Sequence, residues 1–269
     1  MHSTLVVGGL VLLLLSTPQG WPDSLPECRV SSAIIKLDHV VIAVKDLESA
    51  SQTYRQLGFT AKAGRRHANG LLNEHLKFRD GTQLELMSVV GEAKDEIARG
   101  YERFLLRGEG GAYLAMAGGQ QEVLRAAASV GVAAEPLNAG RLRYVTFSEP
   151  ALGALFFVES TLRVEDPDSI FRHANGAEGI RRVWLEASPD LGDLLSALGA
   201  EKCGPATVPD GREGMVYAVG GGEVVLVPPQ ATRARVLGAV LKSSGSHRDR
   251  THGPGETHGI WLALPASQR

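Results

Sequence analysis

The chain has 269 residues, 43% of them hydrophobic and 22% charged, the balance of a globular protein long enough for one large domain or two modest ones. A net charge of −2 supplies no basic field, which argues against nucleic acid and anionic membrane as partners. The only two cysteines are Cys28 and Cys203; Cys28 sits in a Pro-flanked tail, and the pair is expected to remain two unrelated thiols.

Leu5 to Leu15 is an unbroken apolar run, too short for the ~20 residues of a membrane span and suited to a signal-peptide core. Residues 1–20 are therefore read as a signal peptide, with the mature protein secreted or periplasmic and free of a membrane span. The alternative is an uncleaved anchor, since Met1–Thr4 carries no Lys or Arg. Residues 21–34 form an N-terminal tail.

Next comes a unit of one strand, one helix and three strands. Leu37–Val44 reads as a buried strand; Asp46 caps a helix with apolar positions at Leu47, Ala50, Tyr54 and Leu57, and Gly58 closes it. Strands follow at Thr60–Arg65, Leu72–Phe78 and Gln83–Val89, the last two separated by Asp80-Gly81. The order returns at Gly111–Ala117, a helix over Gln120–Val130, and strands at Val132–Pro136, Arg141–Phe147 and Ala154–Glu159. It returns again at Ile180–Ala187, a helix opened by Ser188-Pro189, and strands at Met215–Val219 and Glu223–Pro228. His39 precedes Gly58 by 19 residues, Ala112 precedes Gly131 by 19, and Arg182 precedes Gly199 by 17. A helical stretch is expected near Ala231–Lys242, then a strand at His258–Leu264 that begins a fourth unit and stops.

The predicted class is α+β, with tandem βαβββ modules forming open, curved mixed sheets. Two modules fill 35–160, a linker spans 161–178, and a third module with helix and terminal strand fills 179–269, including a mobile polar segment at 243–257. The glycine runs at 108–111 and 220–222 lack the spacing and the Lys-Ser/Thr of a phosphate loop, so no nucleotide cofactor is indicated.

The run LDHVVIAVKDLESASQTYRQLGF, the segment from Gly64 to Asn73 with its His67 and Asn73, and GTQLELMSV together resemble the vicinal-oxygen-chelate superfamily. The nearest likeness is its glyoxalase-like domain branch, and LFFVES at the end of the second unit resembles that branch as well. The resemblance covers roughly residues 35–230. It implies paired modules curled around a divalent metal, held by a His or Gln on a unit's first strand and a Glu on its last. It further implies a lyase, isomerase or dioxygenase acting on a small carbonyl or vicinal-oxygen substrate, or a binding protein of the same fold that has lost part of the metal site.

Strand alternation bears on these residues independently. With Val40, Ile42 and Val44 toward the helix, His39 takes the concave face. Asn73, His75 and Lys77 join it from the third strand, and Glu85 from the fourth. His39 and Glu85 are the expected metal ligands, with Glu159 of the second unit as third and His75 or His67 as substitutes. His75 and Lys77 are the candidate proton carriers, and His67 and Asn73 the candidate substrate contacts. A competing role for Glu85 is a cross-strand pair with Lys77. The third unit carries Arg182 and Val225 where the first has His39 and Glu85, so its face is expected to be structural. The motif His-Ala-Asn-Gly recurs at His173–Gly176, out of phase with the repeat.

Overall fold

In the computed structural model, which describes Cys28 and residues 33–160, 165–230, 234–244 and 249–264, each repeat folds as its strand–helix–strand order requires. The proposed signal peptide and nearly all of the tail lie outside the described residues. The first unit runs β1 (Lys36–Ala43), α1 (Leu47–Gln56), β2 (Lys62–Arg66), β3 (Leu71–Lys77) and β4 (Gln83–Val89). Asp46 accepts from Ser49 N at the head of α1, Ala50 and Tyr54 bury its inner face, and Gly58 leaves the helix at φ 89°, a conformation costly for any residue with a Cβ. A helical crossover makes β1 and β4 parallel, and tight turns make the β4–β3 and β3–β2 pairs antiparallel.

The second unit runs β5 (Gly110–Ala117), α3 (Gln120–Ser129), β6 (Glu135–Ala139), β7 (Leu142–Thr146) and β8 (Leu155–Ser160). It joins the first through antiparallel β1–β5 pairing, with Val40 opposite Leu114. Between them lies α2 (Glu96–Leu105), a helix the repeat does not call for. The third unit runs β9 (Ala177–Glu186), α4 (Asp190–Ala197), β10 (Glu201–Thr207), β11 (Glu213–Val219) and β12 (Gly222–Val227), again with its first and last strands parallel.

The helix expected near Ala231–Lys242 is a strand instead: β13 (Arg235–Ser243) pairs antiparallel with β9, as β5 pairs with β1. It opens the fourth unit. That unit continues with β14 (Arg250–His252) and closes with β15 (Trp261–Leu264), parallel to β13. The terminal strand is therefore the last of its unit rather than the first. Of the segment 243–257, the described residues are packed into the fold: they include β14 and Thr257, fully buried, whose carbonyl accepts from Tyr54 Oη at 3.0 Å.

The whole is α+β: one open, curved mixed sheet with α1, α3 and α4 on its outer side and α2 on the concave side. The main core lies between helices and sheet, where Val40, Ile42, Leu84, Leu86, Leu114 and Phe157 are buried. Two smaller cores occupy concave faces. On the first unit α2 lays Ala98 and Tyr101 against Val41, Ala43, Met87 and Leu71. On the third unit Trp184, Val216, Val225 and Leu237 pack with Cys28 and Cys203. Arg182 there pairs with Glu223, and Glu186 with Arg212 and Arg235, so that face is filled.

Two further expectations are corrected. Cys28 and Cys203 are joined as a disulfide, with Cα atoms 5.3 Å apart; the apolar face of the third unit brings the tail's cysteine beside β10. The described part of the segment read as a linker, from residue 165 on, is packed against the first unit. Asp166 binds Lys62 and Lys77, His173 Nδ1 accepts from Thr60 N at 2.9 Å, and His173 Nε2 lies 2.9 Å from the Lys77 carbonyl.

Candidate functional site

The concave face of the first unit carries a continuous line of polar groups across three strands. His39 on β1 is flanked by two carboxylates: Nδ1 lies 2.5 Å from Asp38 Oδ1 and Nε2 lies 3.4 Å from Glu85 Oε2. Burial opposes the charged imidazole, but the Asp38 hydrogen bond and the Glu85 and Asp38 charges outweigh it, and the pKa of His39 rises above its ordinary value. Glu85 Oε1 accepts from Asn73 Nδ2 at 2.6 Å.

Asn73 is the keystone of the β3 side. Its Oδ1 accepts the Arg65 backbone N–H at 2.9 Å, which fixes the amide's orientation and turns Nδ2 toward Glu85 and toward His75 Nε2, 3.2 Å away. His75 Nε2 is then an acceptor and Nδ1 carries the proton. That Nδ1 is buried without a hydrogen-bond partner among the described residues. Burial lowers the pKa of His75 against the opposing pull of Glu85, and Lys77, His39 and Lys62 add smaller downward pushes. His75 is thus a neutral imidazole with an idle donor.

Aromatic rings wall the site. The Phe156 ring centroid lies 5.7 Å from that of His39, 6.1 Å from Tyr113 and 6.0 Å from Tyr144, and Tyr101 contacts Tyr113 at 5.2 Å. Burial, then the Glu85 charge, push the phenols of Tyr101 and Tyr144 upward, so both stay protonated near neutrality. None of these aromatics was singled out from sequence. For Tyr101 the signal was present, in Ala98, Tyr101 and Leu105 at helical spacing behind Asp95, a residue suited to N-cap a helix.

Other expected members stand elsewhere. Glu159 follows Leu155 and Phe157 onto the face buried beneath α3, where its Oε2 accepts Gln120 N at 3.0 Å and its Oε1 lies 3.6 Å from Arg143. It is not beside His39; Phe156, its neighbour in phase on the opposite face, is. Lys77 gives its ammonium to Asp166 at 2.6 Å and does not pair with Glu85. His67 lies in the β2–β3 turn, its backbone N–H bonded to Leu71 O, with Nε2 buried and unpartnered among the described residues.

The donor set tests the implied metal. Ligands about 2.1 Å from one tetrahedral ion stand roughly 3.4 Å apart, the separation of His39 Nε2 and Glu85 Oε2. Asp38 is the outer carboxylate such an imidazole often carries. A third donor is missing: Glu159 faces away, Asn73 occupies His75 Nε2, and no cluster of three or more His, Cys, Asp or Glu able to hold an ion occurs among the described residues. Two donors fall short of the three protein ligands of a resident catalytic ion. The residues present do not fit one.

A hollow of about 600 Å³ lies elsewhere, lined by Lys45, Thr53, Glu109, Glu256 and His258. Its central groups are bound to one another: Glu109 accepts from Lys45 N at 2.6 Å and lies 2.9 Å from His258 Nδ1. This is a clasp for the C-terminal loop, and the chemistry lies on the concave face.

Tandem βαβββ units with a polar constellation on a concave sheet define a glyoxalase-type architecture. The glyoxalase-like domain family matches residues 37–199, and the chain belongs to that family, within the vicinal-oxygen-chelate superfamily. Among solved structures it resembles a hypothetical protein from Staphylococcus aureus, at 11% identity and TM-score 0.62 over 86% of this chain and 98% of that one. It also resembles a xylose isomerase-like TIM barrel/4-hydroxyphenylpyruvate dioxygenase fusion protein, at 15% identity and TM-score 0.52, over 81% of this chain and 38% of the fusion. Both likenesses concern the fold alone. No curated protein matches the chain in sequence.

Proposed function

We propose that the concave face of the first unit binds a small carbonyl compound and exchanges a proton on it, as an isomerase or lyase does. The observation that carries this reading is the half-buried His39 held between Asp38 and Glu85. An imidazolium kept charged by two carboxylates is a hydrogen-bond donor for a carbonyl oxygen, and its Nε2 faces the site. Glu85 gives one oxygen to Asn73 and keeps the other for the proton of the adjacent carbon. The tyrosine and phenylalanine rings restrict water around these groups, which strengthens their interactions. A second reading, a binding protein without turnover, is favoured by the missing third donor.

Proton–deuterium exchange separates the two. With pyruvate, dihydroxyacetone and 4-oxopentanoate in D2O, the enzyme reading expects loss of the C–H signals beside the carbonyl, slowed about 10²-fold or more in Glu85→Gln. Binding that His39→Ala abolishes, with no exchange, establishes the binder. Neither binding nor exchange with any of the three sinks both. We also place the protein outside the cytoplasm: the apolar run at Leu5–Leu15 supports export, and a disulfide suits an oxidising compartment. No helix among the described residues is long and apolar enough to cross a membrane.

A further inference from the structure

One cation at the rim of the concave face has no task in the acid–base line. Ala63 pairs with Glu74 and Arg66 with Leu72, so Gly64 and Arg65 together oppose the single residue Asn73. This is a β-bulge, and such bulges re-aim side chains beside functional sites. Ala63 and Arg66 accompany Glu74 and Leu72 on the outer face, which leaves Gly64 and Arg65 on the face of Asn73. Two observations agree. A Cβ at Gly64 would meet Asn73 Oδ1 at 2.1 Å, and the Arg65 backbone N–H donates to that same oxygen.

The neighbouring cations are already occupied. Lys62 and Lys77 share Asp166 at 2.5 and 2.6 Å, and Arg66, on the outer face, reaches the Val90 carbonyl at 3.4 Å. The Arg65 guanidinium is exposed and makes no hydrogen bond or ion pair among the described residues. Its charge is felt at Tyr144, where it opposes the upward push of burial and Glu85. Tyr144 therefore feels both charges, the cation of β2 and the carboxylate of β4. Two strand spacings separate those strands, about 10 Å at ~4.8 Å each. Less the reach of the two side chains, that leaves room for a ligand a few carbons long.

We propose that Arg65 is a specificity-determining residue that anchors a carboxylate on the ligand, so that a carbonyl at the ligand's other end meets His39 and Glu85. The ligand class is a small oxo acid, held through the paired N–H donors with which a guanidinium matches a carboxylate. This inference rests on the reading of the concave face as a carbonyl-binding site.

The test uses pyruvate and 4-oxopentanoate, each beside its uncharged methyl ester, with dissociation constants from ligand-observed NMR on the full chain. At least one acid is expected to bind tenfold or more tightly than its ester. Arg65→Ala should erase that preference and Arg65→Lys retain part of it. Arg66→Ala, with the same loss of charge on the opposite face, should keep it. If the esters bind as well as the acids, or Arg66→Ala erases the preference as fully as Arg65→Ala, the anchor is overturned while the carbonyl site stands. If neither acids nor esters bind, the anchor is overturned, and if dihydroxyacetone neither binds nor exchanges the carbonyl site falls with it.

Discussion

His39 gains two carboxylate partners on folding, and the consequence for stability has a definite sign. Its folded pKa is raised above the ordinary 6.5 by Asp38 and Glu85 against the pull of burial. Its contribution is therefore fully present below pH 6.5 and lost as pH rises through the folded value. His75 and His173 go the other way, lowered chiefly by burial: their contributions are present above 6.5 and lost as pH falls through their folded values. The combined contribution of the three is expected to peak near pH 6.5. Urea midpoints across pH should show His39→Gln flattening the alkaline side only and His173→Gln the acid side only. A His39 ring titrating at or below 6.5 by NMR would defeat the argument. Alternation along β1, β3 and β4 was enough to bring His39, Asn73, His75 and Glu85 to one face from sequence. Along LFFVES alternation groups Glu159 with Leu155 and Phe157, as the structure does, but the consecutive apolar Phe156 and Phe157 leave open which of the two faces is concave. Glu159 was assigned to the wrong face for that reason, and Phe156, which touches His39, was overlooked.

At the scale of elements, the strongly patterned pieces were legible and the exceptions have physical causes. Helix α1 shows its cap, stripe and closing glycine in sequence. Strand β13 does not: Ala, Leu and Arg favour a helix, but pairing with β9 on one side and β15 on the other overrides that preference. Gly238 marks the override, since a Cβ there would meet the Trp261 carbonyl oxygen at 2.0 Å. Helix α2 was missed because it falls between repeats, although it decides how open the concave face is. Its stability depends on Asp95, which accepts from Ala98 N at 2.8 Å and from the Asn69 side chain at 3.0 Å, tying the helix to the β2–β3 turn. Asp95→Ala is expected to cost about 1 kcal/mol. Hydrogen exchange should accelerate across 96–105 while α1 keeps its protection; equal acceleration of both helices would show that α2 is no separate lid on the site.

Across the whole molecule, the units are held by shared strands and by one covalent tie that no local pattern announces. A tail cysteine and a strand cysteine 175 residues apart carry no spacing signal; what brings them together is the apolar cluster of the third unit's concave face, against which both pack. That face has neither of the first unit's donors and serves as a socket for Cys28. A cross-link closing so long a loop restricts the unfolded chain, with an effect of about 2–5 kcal/mol. Cys28→Ser and Cys203→Ser, singly and together, should therefore lower the urea midpoint by the same amount, because either change breaks the same link. Thiol titration of the unfolded wild-type chain under non-reducing conditions should find no free sulfhydryl. The His39 ring titration should be unchanged in the double variant, since the socket and the acid–base face lie on different units of the sheet. A shifted His39 titration would mean instead that the tail's attachment is transmitted through β9, β13 and β5 to the site.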